Sequence, residues 1–445
     1  MEGVPVKKRP SHPVFAGERE SRVVIVGGGL AGAMTAYACA VAGLKPVLLE
    51  ADRVGSGGSG HASGVFAGEA SACFRDFEAA VGRKAARIHF DQTRRAAKEL
   101  VVTVKRLGIR AGVDTQPAVR LAPGGTPVKA LRKDADERSG AGLEASWRKP
   151  AAVLSATGVD GTEGGVQMAT WGVCDPYKLV LGFMAAAASR GAAVFERSPV
   201  TRIDFDRKVA TVVTGRGCIV AAHVVHCTGE PTELLKALKR HFRFEQRALA
   251  MSAALPVPVR KAIGPRACVV TDTEQPPHLI RWTADHAVVV SGADGLRPPE
   301  RQRDRDHVQR TGQLMYELTR LYPAISGVLP AYGWSMPLAH SGDGGLYAGP
   351  HRNFPHQLFA LGTSHDPAKA FLASRVLSQS MEALTRWARE LLSYVERTRP
   401  KEGLTRRELR ETLQWPDRRL REALEELVEL EFLEVNKGAN NRYSF

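Results

Sequence analysis

The chain has 445 residues, enough for two or three domains and a sizeable core, and its 44% hydrophobic and 24% charged residues are those of an ordinary globular protein. No run of about eighteen apolar residues offers a membrane helix, and the charged start MEGVPVKKRPSHPVFAGERES lacks the apolar core of a secretory signal. A mobile tail over residues 1–20 and a cytoplasmic location are expected. Six scattered cysteines with no C-x-x-C pair argue against a disulfide framework and against zinc, so no metal site is expected. The net charge of +15 is dispersed without blocks of like sign, which reads as a basic surface suited to an anionic cofactor sooner than as a nucleic-acid footprint.

The informative stretch comes first, at Arg22 to Glu50. A short Val/Ile strand leads into Gly27, Gly29 and Gly32, spaced G-x-G-x-x-G, and an apolar helix follows. Gly27 allows the tight turn, Gly29 lets backbone approach a pyrophosphate, and Gly32 lets helix and strand pack closely. The unpaired N–H groups at the helix start would face the phosphates. Gly43 stops the helix, Lys45 to Leu49 form a second strand, and Glu50 ends it where a ribose hydroxyl would bind.

Six glycines from Gly55 to Gly68 exclude a regular element there and mean backbone lying close to a ligand. A second Gly/Ser-rich loop straight after the acid suits a flavin dinucleotide better than NAD. With Gly57, Ser59, Gly60 and Gly64 matching a G-x-S-G-x-x-x-G loop, the run from Arg22 to Gly68 resembles the D-amino-acid-oxidase-like (DAO) family of FAD-dependent oxidoreductases. The resemblance implies an α/β protein with a Rossmann-type FAD-binding domain and an inserted mixed-sheet substrate domain.

Further along, Asp76 to Leu107 shows the spacing of one or two long helices. Residues 108–165 read as loop-rich, with turns at Pro123 to Pro127 and the charged run RKDADERSG. Asp175 and Pro176 open a helix reaching Arg190. Strands are expected at Ala193 to Glu196, Arg207 to Val213, Cys218 to Val220 and His223 to Cys227. The resemblance extends to this block, where Val200 would hold the adenine through its backbone and Thr228-Gly229 would pass beside the pyrophosphate. Strands at Ala267 to Thr271, His278 to Thr283 and Ala287 to Val290 and a helix from Asp304 to Leu321 fit a sheet roofing the flavin. In the closing segment Asp343-Gly344, Gly349-Pro350 and Ala360-Leu361-Gly362 follow the family order, before a helix whose N-terminus would face the flavin's N1 and O2 edge. Two departures stand out: Trp334 to His340 contains no arginine of the kind many amino-acid oxidases use for a substrate carboxylate, and the family's G-H-G turn reads Gly362-Thr363-Ser364-His365-Asp366-Pro367.

The expected domains are FAD-binding (21–107, 166–239 and 331–385), substrate (108–165 and 240–330) and a C-terminal region at 400–445. There, leucines at Leu404, Leu409 and Leu413 and at Leu420, Leu424 and Leu427 mark two amphipathic helices, followed by a hairpin from Leu433 to Phe445. The pattern resembles a winged-helix domain with Arg418, Arg419 and Arg421 at the start of the recognition helix. Glu422, Glu425, Glu426 and Glu429 follow on the same helix and favour dimerisation or protein docking over DNA.

Together these readings imply oxidation of a C–N bond in a small amine or amino-acid-like substrate, by hydride transfer to flavin N5, with oxygen or an electron carrier as acceptor. Gly27, Gly29, Gly32, Glu50, Ser59, Gly60, His61, Val200, Thr228 and Gly362 would hold FAD; Trp334 and His365 would face the substrate. His61 has three readings: a covalent bond to the flavin, as in the dimethylglycine and sarcosine dehydrogenase branch, a hydrogen bond or stacking contact, or a solvent-facing loop position. The alternatives to amine oxidation are a flavin-dependent RNA-modifying enzyme and a flavin redox sensor with a DNA-binding tail.

Overall fold

The computed structural model describes residues 9–67, 74–123, 128–206, 209–274, 276–351, 354–363, 365–381, 386–398, 403–429, 433–436 and 442–444. The chain forms two compact units, Met1–Ser380 and Met381–Phe445. Several expected features lie wholly or partly outside the described residues: the first eight of the tail, Gly68, the turn at 124–127, the start of a strand at Arg207, Ser364 of the turn after Gly362, and the hairpin turn at 437–441 with Phe445.

The first sheet of the larger unit is built from strands β1 (Gly17–Val26), β2 (Val47–Leu49), β7 (Ala193–Phe195), β10 (Gly217–Gly229) and β17 (Phe354–Leu361), parallel and ordered 7-2-1-10-17. β16 (Tyr347–His351) lines its far edge, and β8 (Val200–Phe205) with β9 (Ala210–Thr214) forms an antiparallel ribbon on β10. The order reverses between β1 and β10, which opens a crevice at their carboxyl ends. Val24, Val26, Val47 and Leu49 bury one face of the sheet with Phe15. Against the sheet, helices α1 (Leu30–Val41) and α6 (Pro176–Ala188) meet through Tyr37 and Phe183, edge to face at 5.5 Å. Burying a ring such as Phe183 contributes roughly 1.5–3 kcal/mol. Asp175 accepts a hydrogen bond from Lys178 N at 3.0 Å, the expected cap of α6.

The second sheet collects β3 (Val65–Ala67), β4 (Asp114–Pro123), β5 (Ala145–Arg148), β6 (Thr162–Val173), β11 (Phe242–Ser252), β12 (Val269–Thr271), β13 (Leu279–Trp282), β14 (Val288–Gly295) and β15 (Pro330–Ser341). Its order is 15-11-14-13-12-4-6-3, with β5 beside β6, and every pairing is antiparallel except β12 with β4. α8 (Arg303–Leu321) covers one face through Leu314, Met315 and Leu318. α2 (Phe74–Val81), α3 (Arg83–Arg106), α4 (Val128–Gly140), α5 (Pro150–Thr157), α7 (Val257–Ile263) and α9 (Pro367–Met381) complete the unit.

Several expectations are corrected. The tail is shorter than residues 1–20: Gly17 begins β1, Phe15 is buried, and His12 N donates to Glu196 Oε2 at 3.1 Å. The glycine run contains a 3-10 turn, Gly58–His61, and β3. Residues 108–165 are not loop-rich: they carry β4, α4, β5 and α5, and RKDADERSG lies in α4, where Arg138 turns inward to bond Asp134 at 2.8 Å. Cys218 to Val220 and His223 to Cys227 form one strand, because β9 and β1 pair its first half while β1 and β17 pair its second. The domain boundaries shift too, since β3, β6 and β15 join the second sheet although 21–107, 166–239 and 331–385 were expected in the cofactor domain.

The smaller unit comprises α10 (Arg386–Thr398), β18 (Leu404–Thr405), α11 (Arg406–Leu413), α12 (Asp417–Glu429), β19 (Glu434–Asn436) and β20 (Arg442–Ser444), its strands ordered 18-20-19. It starts earlier than residue 400, because Ala388, Leu391 and Val395 of α10 share a core with Leu409, Leu420, Leu424 and Leu427.

Candidate active site

The crevice between β1 and β10 is lined by glycine for a steric reason. A Cβ on Gly27 would stand 2.6 Å from Cys227 O, and one on Gly32 would stand 1.9 Å from Gly27 O. Gly27 also has φ +107°, in the region that favours glycine. Gly29 precedes α1, and Ser59 Oγ accepts from Leu30 N at 2.9 Å, so the second glycine loop is tied to the first turn of that helix.

Glu50, at the end of β2, accepts from Gly28 N at 2.6 Å and from Asp52 N at 2.9 Å. Burial pushes its carboxyl above the ordinary glutamate range, against the pull of those N–H groups. Ser198 N donates to Glu50 O at 2.8 Å, which brings the segment before Val200 to the same end of the crevice. Thr228 and Gly229 close β10, and Gly362 N donates to Gly229 O at 3.0 Å, so these residues meet although 133 positions separate the two glycines. Gly60 N donates to Gly57 O at 3.0 Å. His61 Nδ1 lies 3.0 Å from the same Gly57 O and donates to it.

Trp334 and His365 brace the site through backbone carbonyls. The Trp334 indole donates to His61 O at 2.8 Å, and His365 Nε2 donates to Pro337 O at 2.9 Å. His365 has φ +55° and fills the space beside Gly58, where a Cβ would come within 2.2 Å of Nε2; burial lowers its pKa and keeps it neutral. At the N-terminus of α9, Asp366 accepts from Ala368 N at 2.8 Å and from Ala67 N at 3.1 Å, so a half-buried carboxyl, pushed above its usual range by desolvation, caps the helix and ties it to β3.

Two contributors escaped the sequence. Glu196, buried at the end of β7, accepts from Val54 N at 2.8 Å and from His12 N, joining the loop after Glu50 to the chain start. Arg281 donates through Nε to Ser63 O. An arginine within the alternating run His278-Leu-Ile-Arg-Trp282 was the available signal for the second.

A parallel sheet ordered 7-2-1-10-17, with a glycine cradle, a helix N-terminus and a terminal acid at its switch point, defines a dinucleotide-binding protein whose larger unit also carries a second, mixed sheet. The residues fit the adenosine diphosphate half of such a dinucleotide on the steric grounds given for Gly27 and Gly32. The chain belongs to the DAO family, whose model is described as FAD dependent oxidoreductase and matches residues 22–380; it is an FAD-dependent oxidoreductase. It is 22% identical over 346 residues to the probable oxidoreductase OrdL of Rhizobium meliloti (strain 1021), covering 74% of this chain and 76% of that protein. It is 26% identical over 325 residues to gamma-glutamylputrescine oxidoreductase of Escherichia coli (strain K12), covering 70% and 72% respectively. The crystal structure of glycine oxidase from Geobacillus kaustophilus shares the fold, with a TM-score of 0.66 at 21% identity over 82% of this chain and 95% of that one. Among the described residues no helix is long and apolar enough to cross a membrane.

Proposed function

We propose that the enzyme oxidises the C–N bond of a small amine or amino-acid-like substrate. The observation that carries this reading is the wall of the second sheet, where Leu249, Met336 and Leu338 cluster with Ala62 around Trp334, next to the glycine loop of the cofactor site. FAD, when bound, accepts the hydride from the carbon beside nitrogen, which leaves the substrate as an imine for hydrolysis. The chain's own part is positional: the apolar wall excludes water and holds the amine, while Trp334 and His365 fix the loop and the strand that shape the pocket. Both side chains act as positioning residues, because their polar hydrogens are held by carbonyls. Names of relatives such as glycine oxidase and gamma-glutamylputrescine oxidoreductase support the substrate class. Anaerobic incubation with a panel of amines and amino acids tests it: bleaching of the flavin band by at least one of them is expected, and an unbleached flavin across the panel refutes the reading. Oxygen uptake in the same assay separates an oxidase from an enzyme that passes electrons to a carrier.

For the smaller unit we infer a winged-helix module used for dimerisation or protein docking. Its order of helix, strand, two helices and two strands supports the fold, and its charge argues for the use. Residues 381–445 hold 13 Lys and Arg against 13 Asp and Glu, so the net +15 of the chain resides in residues 1–380. Arg418 pairs with Glu422 at 2.9 Å, Arg421 with Glu425 at 3.6 Å, and Arg419 lies 4.0 Å over the Trp387 ring. Cations so matched release few counterions on meeting DNA. Duplex DNA is expected to leave the full-length protein unshifted in a gel at about 0.15 M salt, and a retarded band would favour the redox-sensor alternative.

A further inference from the structure

The C-terminal ends of α3 and α6 meet at the surface of the larger unit and border an open cavity of about 620 Å³, a volume in the range of small-ligand sites. Leu107, Ile109 and Leu181 supply apolar surface there, and Ile109 packs so closely on α6 that a Cβ on Gly182 would stand 2.4 Å from its Cγ2. Around that surface stand Arg106, Arg110, Lys178 and Arg190, and no Asp or Glu lines the cavity. The cofactor cradle is elsewhere. Tyr37, which both Arg106 and Arg190 touch, lies eight positions beyond Gly29, or about 12 Å along α1 at roughly 1.5 Å per residue.

Two of the guanidiniums are held beside one ring without a counter-ion. Arg106 Nη2 donates to the Tyr37 hydroxyl at 3.3 Å, while Arg190 lies 5.3 Å over the Tyr37 ring and its Nη1 donates to Ala186 O at 2.9 Å and to Ser189 Oγ at 3.4 Å. Among the described residues no carboxylate comes within ion-pairing distance of Arg106, Arg110 or Arg190, whereas Lys178 pairs with Asp175 at 3.2 Å. Helix C-termini draw cations, and that accounts for part of this charge. Each helix end carries roughly half a negative charge, so the two ends offset one of the four cations, Asp175 offsets another, and about two positive charges stay unmatched around one cavity. Like charges held together repel until an anion joins them.

We propose that this cavity binds a phosphate monoester, with the phosphate held by Arg106, Arg110 and Arg190 and the organic part resting on Leu107, Ile109 and Leu181. A phosphate monoester brings close to two negative charges and three terminal oxygens, one for each guanidinium. A carboxylate engages a single fork. The site is separate from the cofactor crevice, so the proposal stands whichever substrate the enzyme oxidises.

The test uses the full-length FAD-loaded protein, in which the cofactor's own phosphate site is occupied, in calorimetric titrations at about pH 7.5, above the second phosphate pKa of about 6. The probes are phenyl phosphate, inorganic phosphate and phthalate, a dianion without phosphate. Wild type is expected to bind phenyl phosphate saturably, and more tightly than either of the others. Arg106→Gln combined with Arg190→Gln is expected to weaken that binding roughly tenfold to a hundredfold, the loss typical of charge-assisted hydrogen bonds. Arg83→Gln combined with Arg95→Gln removes the same charge from other exposed positions of α3 and is expected to leave binding unchanged. Thermal melts establish that the variants fold; should the Arg106 and Arg190 pair melt early, Arg110→Gln, at an exposed side chain, is expected to weaken binding by roughly threefold or more. No saturable binding of phenyl phosphate by wild type, equal binding by the cavity variants, an equal loss in the control pair, or phthalate bound as tightly as phenyl phosphate each overturns the proposal. A Glu-rich peptide or an RNA oligonucleotide that binds wild type more tightly than phenyl phosphate, and is lost in the cavity variants, overturns it in favour of a macromolecular partner.

Discussion

The two sheets of the larger unit are built differently, and they wrote themselves into the chain differently. The crevice of the parallel sheet is shaped by backbone: Gly27, Gly29 and Gly32 leave room, β1 and β10 frame it, and Glu50 lies at its end, with most of these residues inside thirty positions. The other sheet presents side chains, and one rung of a single face draws Leu279, Ser291, Leu249 and Trp334 from four strands spread between β11 and β15. Where backbone makes the site, few residue types satisfy it. Where side chains make a surface, many residue types serve.

That contrast is open to experiment, most severely at the cradle. Gly32→Val places carbon where Gly27 O already stands, 1.9 Å away, so helix and strand must part. Overpacking of this kind costs about 1–3 kcal/mol and occasionally more. The expected outcome is protein purified without flavin and with a lowered melting temperature; a yellow protein of normal stability would show that the crevice yields more readily than its packing implies.

On the other sheet, His278 offers a pH lever. It sits between Asp272, 2.6 Å from Nδ1, and Glu317, 2.7 Å from Nε2, joining β13 to α8. Burial opposes its charge, but the hydrogen bond and charge of Asp272, followed by those of Glu317, outweigh it and push the pKa up to about 9. A folded-state pKa raised above the ordinary 6.5 means the stabilisation is complete below that pH and disappears as the pH rises through about 9. The loss is on the order of 2–3 kcal/mol. Melting curves from pH 6 to 10 are expected to show this decline in wild type and a flatter profile in His278→Gln; parallel profiles would sink the idea.

Glu50→Ala sharpens the cofactor side. Besides any ribose hydroxyl, the carboxylate holds the N–H groups of Gly28 and Asp52, so FAD affinity and loop order fall together. One charge-assisted hydrogen bond is worth about 1.5–3 kcal/mol, and FAD dissociation constants from fluorescence quenching are expected to rise by roughly tenfold to a hundredfold. Unchanged affinity would mean that the acid serves the loop alone. The smallest effect is expected at Trp334→Phe, which keeps most of the ring's packing and loses the bond to His61 O, about 1 kcal/mol in stability. His61 itself is read as a noncovalent contact: acid precipitation is expected to release FAD into the supernatant, and flavin retained in the pellet of wild type but not of His61→Ala would establish a covalent bond.

By itself the sequence determined the cofactor end. G-x-G-x-x-G after a strand and before a helix, with an acid closing the next strand, is a local constraint, and chain connectivity holds its members together whatever the rest of the molecule does. The cap of α6 by Asp175 and the helix spacing of α8 were legible for the same reason. Only tertiary structure decided that β3, β6 and β15 leave the cofactor domain for the second sheet, because period-two alternation shows that a strand has two faces without naming its partner. The assignment of α10 to the smaller unit's core, like the placing of Arg281 on the same face as Trp334, depends on pairings between residues far apart in the chain. Such contacts form when separated apolar faces find one another, and a strand's residue pattern is equally satisfied by many partners until they do.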